Sequence, residues 1–447
     1  EENSGYATDD FIESMAKYVG IPDMAKWKQE WKGKKYKKQV ESTTSQAGKL
    51  GFTGTPSFSI EGPKSEGLEL LGTPGSSEAI EEAIALQEAG LDVTFLSAVG
   101  APSEALRDAG VRVLSLGQAE LLQVWRHPTA ALRSAWNSTA FNATRSLLAR
   151  LDPARTVVHL HGYTKALSTS PALAAQLAGF STVCTLHDFF AACPNGALYD
   201  YRREAPCERR ALSVSCMVAN CDKRHPLHKS YRVLRGLTQR HFARFPDSVH
   251  DFIALSSRSA ALLQPYLAPG SRLYALSNII DMPRAEPADP ARNSALLVVG
   301  RLDAEKGVTL AAEAAQQAGM PIMFAGEGPF RAALEARGAT VTGWLDSDGV
   351  RGVLDQARCL VFPSRWFETF GLVVEEAAAR GIPAIVSDIS AAAERLQDGV
   401  TGWLFRSSDQ ADLARCMAAT ADDARVAAAG RAAYARFWAD PPDRQHP

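Results

Sequence analysis

The fold of this chain is decided by residues 363–383, which read Pro-Ser-Arg-Trp-Phe-Glu-Thr-Phe-Gly-Leu-Val-Val-Glu-Glu-Ala-Ala-Ala-Arg-Gly-Ile-Pro. The apolar run Cys359–Phe362 comes before this stretch, and the β-branched run of residues 383–387 closes it. Helix-forming residues follow Gly371, so the chain is predicted to pass from a strand through a short loop into a helix and then into another strand. Repetition of this unit builds a parallel α/β sheet.

Two glutamates in the stretch have a spacing that suits ligand binding. Glu368 lies in the predicted loop, and Glu376 lies about one and a half turns into the helix. The backbone N–H groups of Phe370, Gly371 and Leu372 are at the helix start, where they can bind phosphate oxygens. Glu368 is then placed to accept hydrogen bonds from sugar hydroxyls, and Glu376 from ribose hydroxyls. Such glutamate pairs are commonly solvated helix charges, but the flanking strands favour a binding site.

Two cations follow an earlier predicted strand. Residues 296–300 form an apolar run that ends in Gly300, and Arg301 and Lys306 lie in the loop behind it. Anions bind at the carboxyl edge of a parallel sheet, helped by the next helix N-terminus. Two positive charges there can stabilise a leaving diphosphate without a metal ion. The alternative is that both are ordinary surface cations.

Apolar runs alternate with Ala-rich amphipathic stretches in two series, which predicts two Rossmann-like domains. The predicted strands cover residues 92–96, 111–114, 156–160, 182–186 and 252–255 in the first series, and 296–300, 322–326, 339–341, 359–362 and 383–387 in the second. Residues 281–293 contain three prolines and read as a linker. We therefore assign residues 86–283 to an acceptor-side domain and residues 284–447 to a donor-binding domain that meet at a cleft.

At this point the sequence resembles a known family. Residues 295–405 are similar to the donor domain of GT-B glycosyltransferases of the family 4 type, and the resemblance extends over residues 89–440. The E-x7-E motif of that family is matched by Glu368 and Glu376, and its G-R-x-x-x-x-K-G loop by Gly300–Gly307. The resemblance implies transfer of a hexosyl or related sugar from a UDP- or GDP-sugar, retention of the anomeric configuration, and no need for a metal or other cofactor.

Histidines follow two strands of the first domain. His159 and His161 end one predicted strand, and His187 follows the next. The carboxyl ends of such strands face the cleft. The family often places a histidine there against the donor sugar, and His187 is the best match for that catalytic position. A histidine at a strand end is more commonly structural, which is the preferred interpretation of His159 and His161.

Four of the seven cysteines lie close together in one insertion: Cys193, Cys207, Cys216 and Cys221. Thiolates at a loop can bind zinc, but the spacing lacks the two tight Cys-x-x-Cys knuckles of common zinc modules. We therefore expect free thiols, with zinc binding by this cluster as the alternative. The odd cysteine count argues against a secreted disulfide scaffold and favours a reducing cytoplasm.

The first 85 residues differ in composition from the rest. Residues 16–41 are rich in lysine, tryptophan and tyrosine, and lysine becomes rare after residue 88. The stretch Gly51–Phe58, with its Thr-Pro pair, resembles the C-terminal half of a DsbA-like, thioredoxin-family domain. The Cys-x-x-Cys pair needed for thiol exchange is absent, because no cysteine precedes Cys184. Residues 1–85 are thus predicted to be a partial α+β segment joined to a glycosyltransferase.

Two departures from the family keep other functions open. The opening strand and Gly-rich loop of the family are replaced by the thioredoxin-like sequence, and the last helix is expected to be shortened. An inactive fusion that binds nucleotide only is therefore one alternative. A thiol-disulfide oxidoreductase remnant is another, and a nucleotide-sugar epimerase of the GT-B type is a third.

Bulk properties limit the partners. A net charge of -2 gives no reason to expect nucleic acid, and no apolar run has the length of a membrane span. The expected partners are a nucleotide-sugar donor and a saccharide or lipid-linked acceptor in surface polysaccharide or glycoconjugate synthesis. The expected location is the cytoplasm, with peripheral contact at the inner face of the membrane.

Overall fold

The computed structural model describes residues 58–60, 69–71, 77–100, 103–118, 129–278, 280 and 282–439. Strands β1 (Phe58–Ile60) and β2 (Glu69–Leu71) pair antiparallel, with Phe58 opposite Leu71. They belong to a unit of residues 1–73, separate from residues 74–447. The DsbA-like interpretation of residues 1–85 lies mostly outside the described residues and stays a prediction.

Residues 77–280 form what we call the N-lobe, which alternates strands and helices. Its strands are β3 (Thr94–Ser97), β4 (Arg112–Ser115), β5 (Val157–Leu160), β6 (Ser181–Leu186), β7 (Tyr199–Asp200), β8 (Ala205–Pro206), β9 (Asp251–Ala254) and β10 (Arg272–Ala275). Its helices are α1 (Ser77–Glu88), α2 (Glu104–Asp108), α3 (Thr129–Ala135), α4 (Ser138–Leu148), α5 (Ser170–Leu177), α6 (Val214–Val218), α7 (Pro226–His241) and α8 (Ser257–Leu263).

The parallel sheet of the N-lobe is split. One part has the order β10-β9-β6-β5, and the parallel pair β3-β4 forms a separate sheet. No strand of the described residues joins β3 to β5, and Val157 on β5 is exposed. The main core of the lobe packs around Cys184, Leu186 and Phe252.

Residues 282–439 form the C-lobe. Its strands are β11 (Leu296–Val299), β12 (Ile322–Ala325), β13 (Thr340–Gly343), β14 (Cys359–Phe362), β15 (Ala384–Ser387) and β16 (Gly402–Phe405). Its helices are α9 (Val308–Ala318), α10 (Arg331–Glu335), α11 (Ser347–Asp355), α12 (Leu372–Ala379), α13 (Gln410–Ala419) and α14 (Asp423–Ala439).

The sheet of the C-lobe is parallel throughout, in the order β13-β12-β11-β14-β15-β16. This is the order 3-2-1-4-5-6 of a dinucleotide-binding Rossmann fold, in which the direction of winding reverses between β11 and β14. Both strands are apolar and largely buried, since helices cover both faces of the sheet. Ligands bind at such a reversal, beyond the carboxyl ends of the two strands.

The two lobes are connected twice. Residues 282–289 lead from one lobe to the other, and the end of α14 returns to the N-lobe. Phe437 of α14 is buried in a cluster that includes Leu255 and Ile280 of the N-lobe and Phe370 of the C-lobe. None of the helices in the described ranges combines the length and the apolar character that crossing a bilayer requires.

The predicted parallel α/β architecture is confirmed, with each predicted strand shifted by no more than two residues at either end. The sequence analysis missed the edge strand β10, the short pair β7-β8 and β16. The predicted boundary between residues 85 and 86 falls inside α1. The predicted domain limits are not otherwise tested and stay predictions.

Candidate active site

Two loops of the C-lobe meet at the point where the sheet reverses. The loop after β11 ends at Gly307, which has a left-handed φ of 70°. A Cβ there would collide with the backbone carbonyl of Pro363, in the loop after β14. The Arg365 backbone N–H also donates to the Glu305 carbonyl at 2.9 Å. Glycine is therefore required at residue 307 for the two loops to touch.

Lys306 and Glu368 form an ion pair across this contact, with Nζ 2.7 Å from Oε1. The same oxygen accepts hydrogen bonds from Ser364 Oγ at 2.7 Å and from Trp366 Nε1 at 2.6 Å. Burial alone would raise the pKa of the Glu368 carboxyl, but the charge of Lys306 and these hydrogen bonds hold it below its ordinary value. Glu368 is therefore a fixed, ionised acceptor.

Arg301 is close by but is engaged with acidic neighbours. Its guanidinium lies 2.6 Å from Asp303 and 3.7 Å from Glu305, and its side chain is 60% exposed. Lys223 of the N-lobe contacts the same two carboxylates at 2.8 and 3.0 Å. The two carboxylates are nearly buried and carry two cations, one from each lobe. Arg301 can therefore turn toward an anion while Lys223 keeps the carboxylates partly neutralised.

Helix α12 begins at the predicted phosphate-binding turn. Gly371 caps the helix with a φ of 98°, and Phe370 before it is buried. The N–H groups of Phe370, Gly371 and Leu372 lie at the helix start, where the helix dipole favours negative charge. Further along the helix, burial raises the pKa of Glu376, and the charge of Arg351 partly opposes the shift.

The neighbouring Glu375 was not predicted to matter. It is buried, and both of its carboxylate oxygens lie 2.9 Å from Arg436 of α14. The Glu375–Arg436 pair fixes α12 against α14. The sequence contains a signal for this difference. Successive helix positions point about 100° apart, so the neighbours Glu375 and Glu376 cannot both face the same surface.

The N-lobe reaches this site at the end of β6. Thr369 Oγ1 donates to the His187 carbonyl oxygen at 3.1 Å, so His187 lies beside the loop that carries Glu368. His187 Nε2 is 3.0 Å from His161 Nδ1. His159 and His161 in turn contact Glu82 of α1 at 2.8 and 3.3 Å. Glu82 was not predicted from the sequence, because it falls in the segment assigned to the thioredoxin-like region.

All seven cysteines lie in the described ranges and are free thiols. Cys193, Cys216 and Cys221 are buried, and the Lys229 ammonium lies 3.6 Å from Cys216 Sγ and 3.3 Å from Cys221 Sγ. The charged group in contact with these thiols is therefore the Lys229 ammonium, and the thiols do not share the geometry of a metal site. Across the described residues, Glu82, His159 and His161 form the group of potential metal ligands, and the cysteines do not.

A cavity of about 540 Å³ lies between the lobes. Ser256 and Ser277 line it from the N-lobe, and Phe370, Arg395 and Gln397 line it from the C-lobe. It shares Phe370 with the predicted phosphate-binding turn and does not include Lys306 or Glu368. Its volume falls in the range of small-molecule sites.

Sequence comparison assigns both lobes to sugar-transferring families. The profile described as "Glycosyl transferase 4-like domain" matches residues 80–278, and the profile "Glycosyl transferases group 1" matches residues 293–423. The chain belongs to the family 4-like GT-B glycosyltransferases. Both profiles begin at or after residue 80, so the DsbA-like interpretation of residues 1–85 gains no support from them.

Related sequences match this chain over part of their own length. It is 35% identical over 172 residues to glycogen synthase of Mycobacterium tuberculosis, covering 35% of this chain and 40% of the relative. It is 34% identical over 133 residues to alpha-D-kanosaminyltransferase of Streptomyces kanamyceticus, covering 26% of this chain and 34% of the relative. The match therefore spans less than half the length of either relative.

Solved structures show the same fold over most of the glycosyltransferase chain. HepE of Anabaena, in complex with UDP and glucose, superposes with a TM-score of 0.54 at 17% identity, covering 82% of this chain and 92% of that one. Sucrose-phosphate synthase of Thermosynechococcus elongatus gives a TM-score of 0.57 at 18% identity, covering 82% and 89%. At these identities the likeness concerns the fold alone.

Proposed function

We propose that this protein transfers a sugar from a UDP- or GDP-sugar to a saccharide or lipid-linked acceptor, with retention of the anomeric configuration. The observation that carries the proposal is the Lys306–Glu368 ion pair, at the point where the sheet reverses. The Thr369 hydroxyl ties the same loop to the His187 carbonyl, so both lobes contribute to one site.

Each site residue has a part that follows from its chemistry. Lys306 and Arg301 would hold the diphosphate and offset the negative charge that develops as it leaves, so metal chemistry is not needed at the phosphates. Glu368 engages its protein partners through Oε1, and its other oxygen would accept hydrogen bonds from the sugar. Glu376 would bind the ribose hydroxyls, and His187 would face the reacting carbon.

The helix start supplies the remaining donors. The amides of Phe370, Gly371 and Leu372 would bind phosphate oxygens that Lys306 does not reach. Related proteins support parts of this proposal: HepE was solved with UDP and glucose, and a relative from Bacillus subtilis is described as a putative teichuronic acid biosynthesis glycosyltransferase. We propose that the reaction belongs to surface polysaccharide or glycoconjugate synthesis, in the cytoplasm at the inner face of the membrane.

The first test measures donor binding. UDP, GDP, ADP and their common sugar conjugates are added to the protein and its thermal midpoint is followed, because a ligand of the native state raises that midpoint. We expect one base to raise it, with the shift lost in Glu376→Ala and kept in the control Glu286→Ala. Glu286 is an exposed residue of the interlobe connection. A folded sample that responds to none of these ligands would contradict the proposed donor site.

A second candidate function is nucleotide binding without transfer, and the split sheet of the N-lobe favours it. An acceptor site on an incomplete sheet could fail even when the C-lobe binds donor. Release of sugar or of nucleotide diphosphate from a labelled donor separates the two functions. Turnover that disappears in Glu368→Ala supports transfer or hydrolysis at this site, and binding with no turnover under any acceptor condition supports the second function.

A further inference from the structure

Three side chains from separate parts of the N-lobe come together beside His187. Glu82 Oε1 lies 2.8 Å from His159 Nδ1, and Glu82 Oε2 lies 3.3 Å from His161 Nε2. One ligand atom from each of the three residues falls within 4.8 Å of the others. A tetrahedral zinc ion with bonds of about 2.0–2.1 Å holds its ligand atoms about 3.4 Å apart. The three ligand atoms are thus close enough for side-chain adjustments to bring them around such an ion.

The second nitrogen of each ring is also occupied. His159 Nε2 lies 2.8 Å from Thr185 Oγ1, and His161 Nδ1 lies 3.0 Å from His187 Nε2. Histidines that bind a metal through one ring nitrogen nearly always hydrogen-bond through the other, which fixes the ring orientation and tautomer. Thr185 is itself buried, so its hydroxyl is a fixed partner rather than a mobile surface group.

The charge and exposure of the cluster suit a cation. The side chains of Glu82, His159 and His161 are 33%, 21% and 15% exposed, so an ion can enter without unfolding the lobe. The Glu82 carboxylate supplies a negative charge, and each imidazole offers a cation a nitrogen lone pair when it is unprotonated.

We propose that Glu82, His159 and His161 form a binding site for a divalent transition metal of the zinc type. Two imidazoles and one carboxylate are the protein ligands of zinc sites that keep a fourth position open for water or another ligand. This inference stands apart from the proposed sugar transfer, which assigns no part to a metal.

The positions of the three ligands indicate that a bound ion would have a structural role. Glu82 comes from α1, whereas both histidines come from the end of β5. No strand of the described residues joins β5 to β3, so this edge of the sheet has few backbone links to the elements before it. A bound ion would clamp α1 to β5 across that gap and would raise the thermal stability of the lobe by mass action.

The experiment uses the whole chain, freed of metal with a chelator and titrated with Co²⁺ and, separately, with Zn²⁺. Absorption spectra report the cobalt ligands, and calorimetry reports the affinity and stoichiometry for zinc. The variants are Glu82→Gln and His159→Asn, with His241→Asn as the matched control because His241 is exposed at the end of α7. Cys216→Ser tests the competing thiol cluster.

We expect one ion per chain, a cobalt spectrum without thiolate charge-transfer bands, and an affinity at least tenfold weaker in Glu82→Gln and in His159→Asn. The affinity should be unchanged in His241→Asn and Cys216→Ser. Thr185→Val should weaken binding by about tenfold through loss of the outer hydrogen bond. Absence of binding, or binding lost in Cys216→Ser and kept in His159→Asn, would overturn the site. If the ligand variants do not fold, the cobalt spectrum of the unaltered protein still decides between imidazole and thiolate ligands.

Discussion

At the scale of single residues, the Lys306–Glu368 pair links stability to function. Lys306→Met would leave the Glu368 carboxylate mostly buried with only two neutral donors, so we expect a loss of about 2 kcal/mol in unfolding free energy, less than for a fully buried pair. Donor turnover should be lost as well. The double variant Lys306→Met/Glu368→Gln should recover most of the stability and none of the turnover, as measured by chemical denaturation and donor release. Equal instability of the single and double variants would show that the loss does not come from a Glu368 carboxylate left without its cation.

Glu376 should make the stability of the protein depend on pH, in the direction opposite to Glu368, whose pKa is lowered. Burial raises its pKa in the folded state above the ordinary value of 4.5, so the folded protein binds this proton more tightly than the unfolded chain does. Ionised Glu376 therefore destabilises the free protein at neutral pH, and the penalty fades as pH falls through the raised pKa. Glu376→Gln should have a higher thermal midpoint than the unaltered protein at pH 7, with the difference vanishing in acid. Glu286→Gln is the control and should show no such difference.

The loops that carry Lys306 and Glu368 were each predicted to follow a strand. The structure makes those two strands, β11 and β14, neighbours in the sheet, which brings the two side chains together. The roles of both residues in binding stay predictions. Glu82 could not be found in this way. It is one acidic residue of an amphipathic helix, and it lies 77 positions before His159 in the sequence. Only the packing of α1 against the end of β5 makes it a neighbour of the histidines.

At the scale of elements, the start of α12 depends on one glycine. A Cβ at residue 371 would lie 2.8 Å from the Ala392 Cβ, and the φ of 98° disfavours any other residue. We expect Gly371→Ala to lower unfolding free energy by about 1–3 kcal/mol and to weaken donor binding. Gly352→Ala is the matched control, because this exposed residue of α11 has open space around it and should gain up to about 1 kcal/mol. Denaturation and donor titration of both variants measure the contrast.

Strands were predictable to the degree that both of their faces are buried. All residues of β14 and β15 are buried, and all but Ser387 are apolar; the predicted limits of β14 matched the structure. β10 was missed because three of its four residues are exposed at the sheet edge, which removes the apolar signal. The pair β7-β8 has two residues in each strand, too few for any period to show.

At the scale of the whole molecule, ion pairs between the lobes affect the site. Lys223 of the N-lobe shares Asp303 and Glu305 with Arg301. Lys223→Gln should leave both carboxylates to Arg301, which then turns less readily to a diphosphate. We expect donor affinity to fall several-fold, with a weaker salt dependence than in the unaltered protein. Lys165→Gln removes an exposed lysine of the same lobe and should leave donor affinity unchanged in the same titration. An unchanged affinity in Lys223→Gln would show that the two cations act independently.

The double connection between the lobes limits how they can move. One link is the stretch after Ile280, and the other is the end of α14, where Phe437 packs with Leu255 and Ile280. Both links meet at the cluster around Ile280, so a relative movement of the lobes should centre there as a rotation rather than a free tumbling of one lobe on a tether. Phe370 belongs to the same cluster, so the loop that carries Glu368 lies close to this centre. A rotation of the lobes should therefore displace that loop less than loops that lie farther from the cluster.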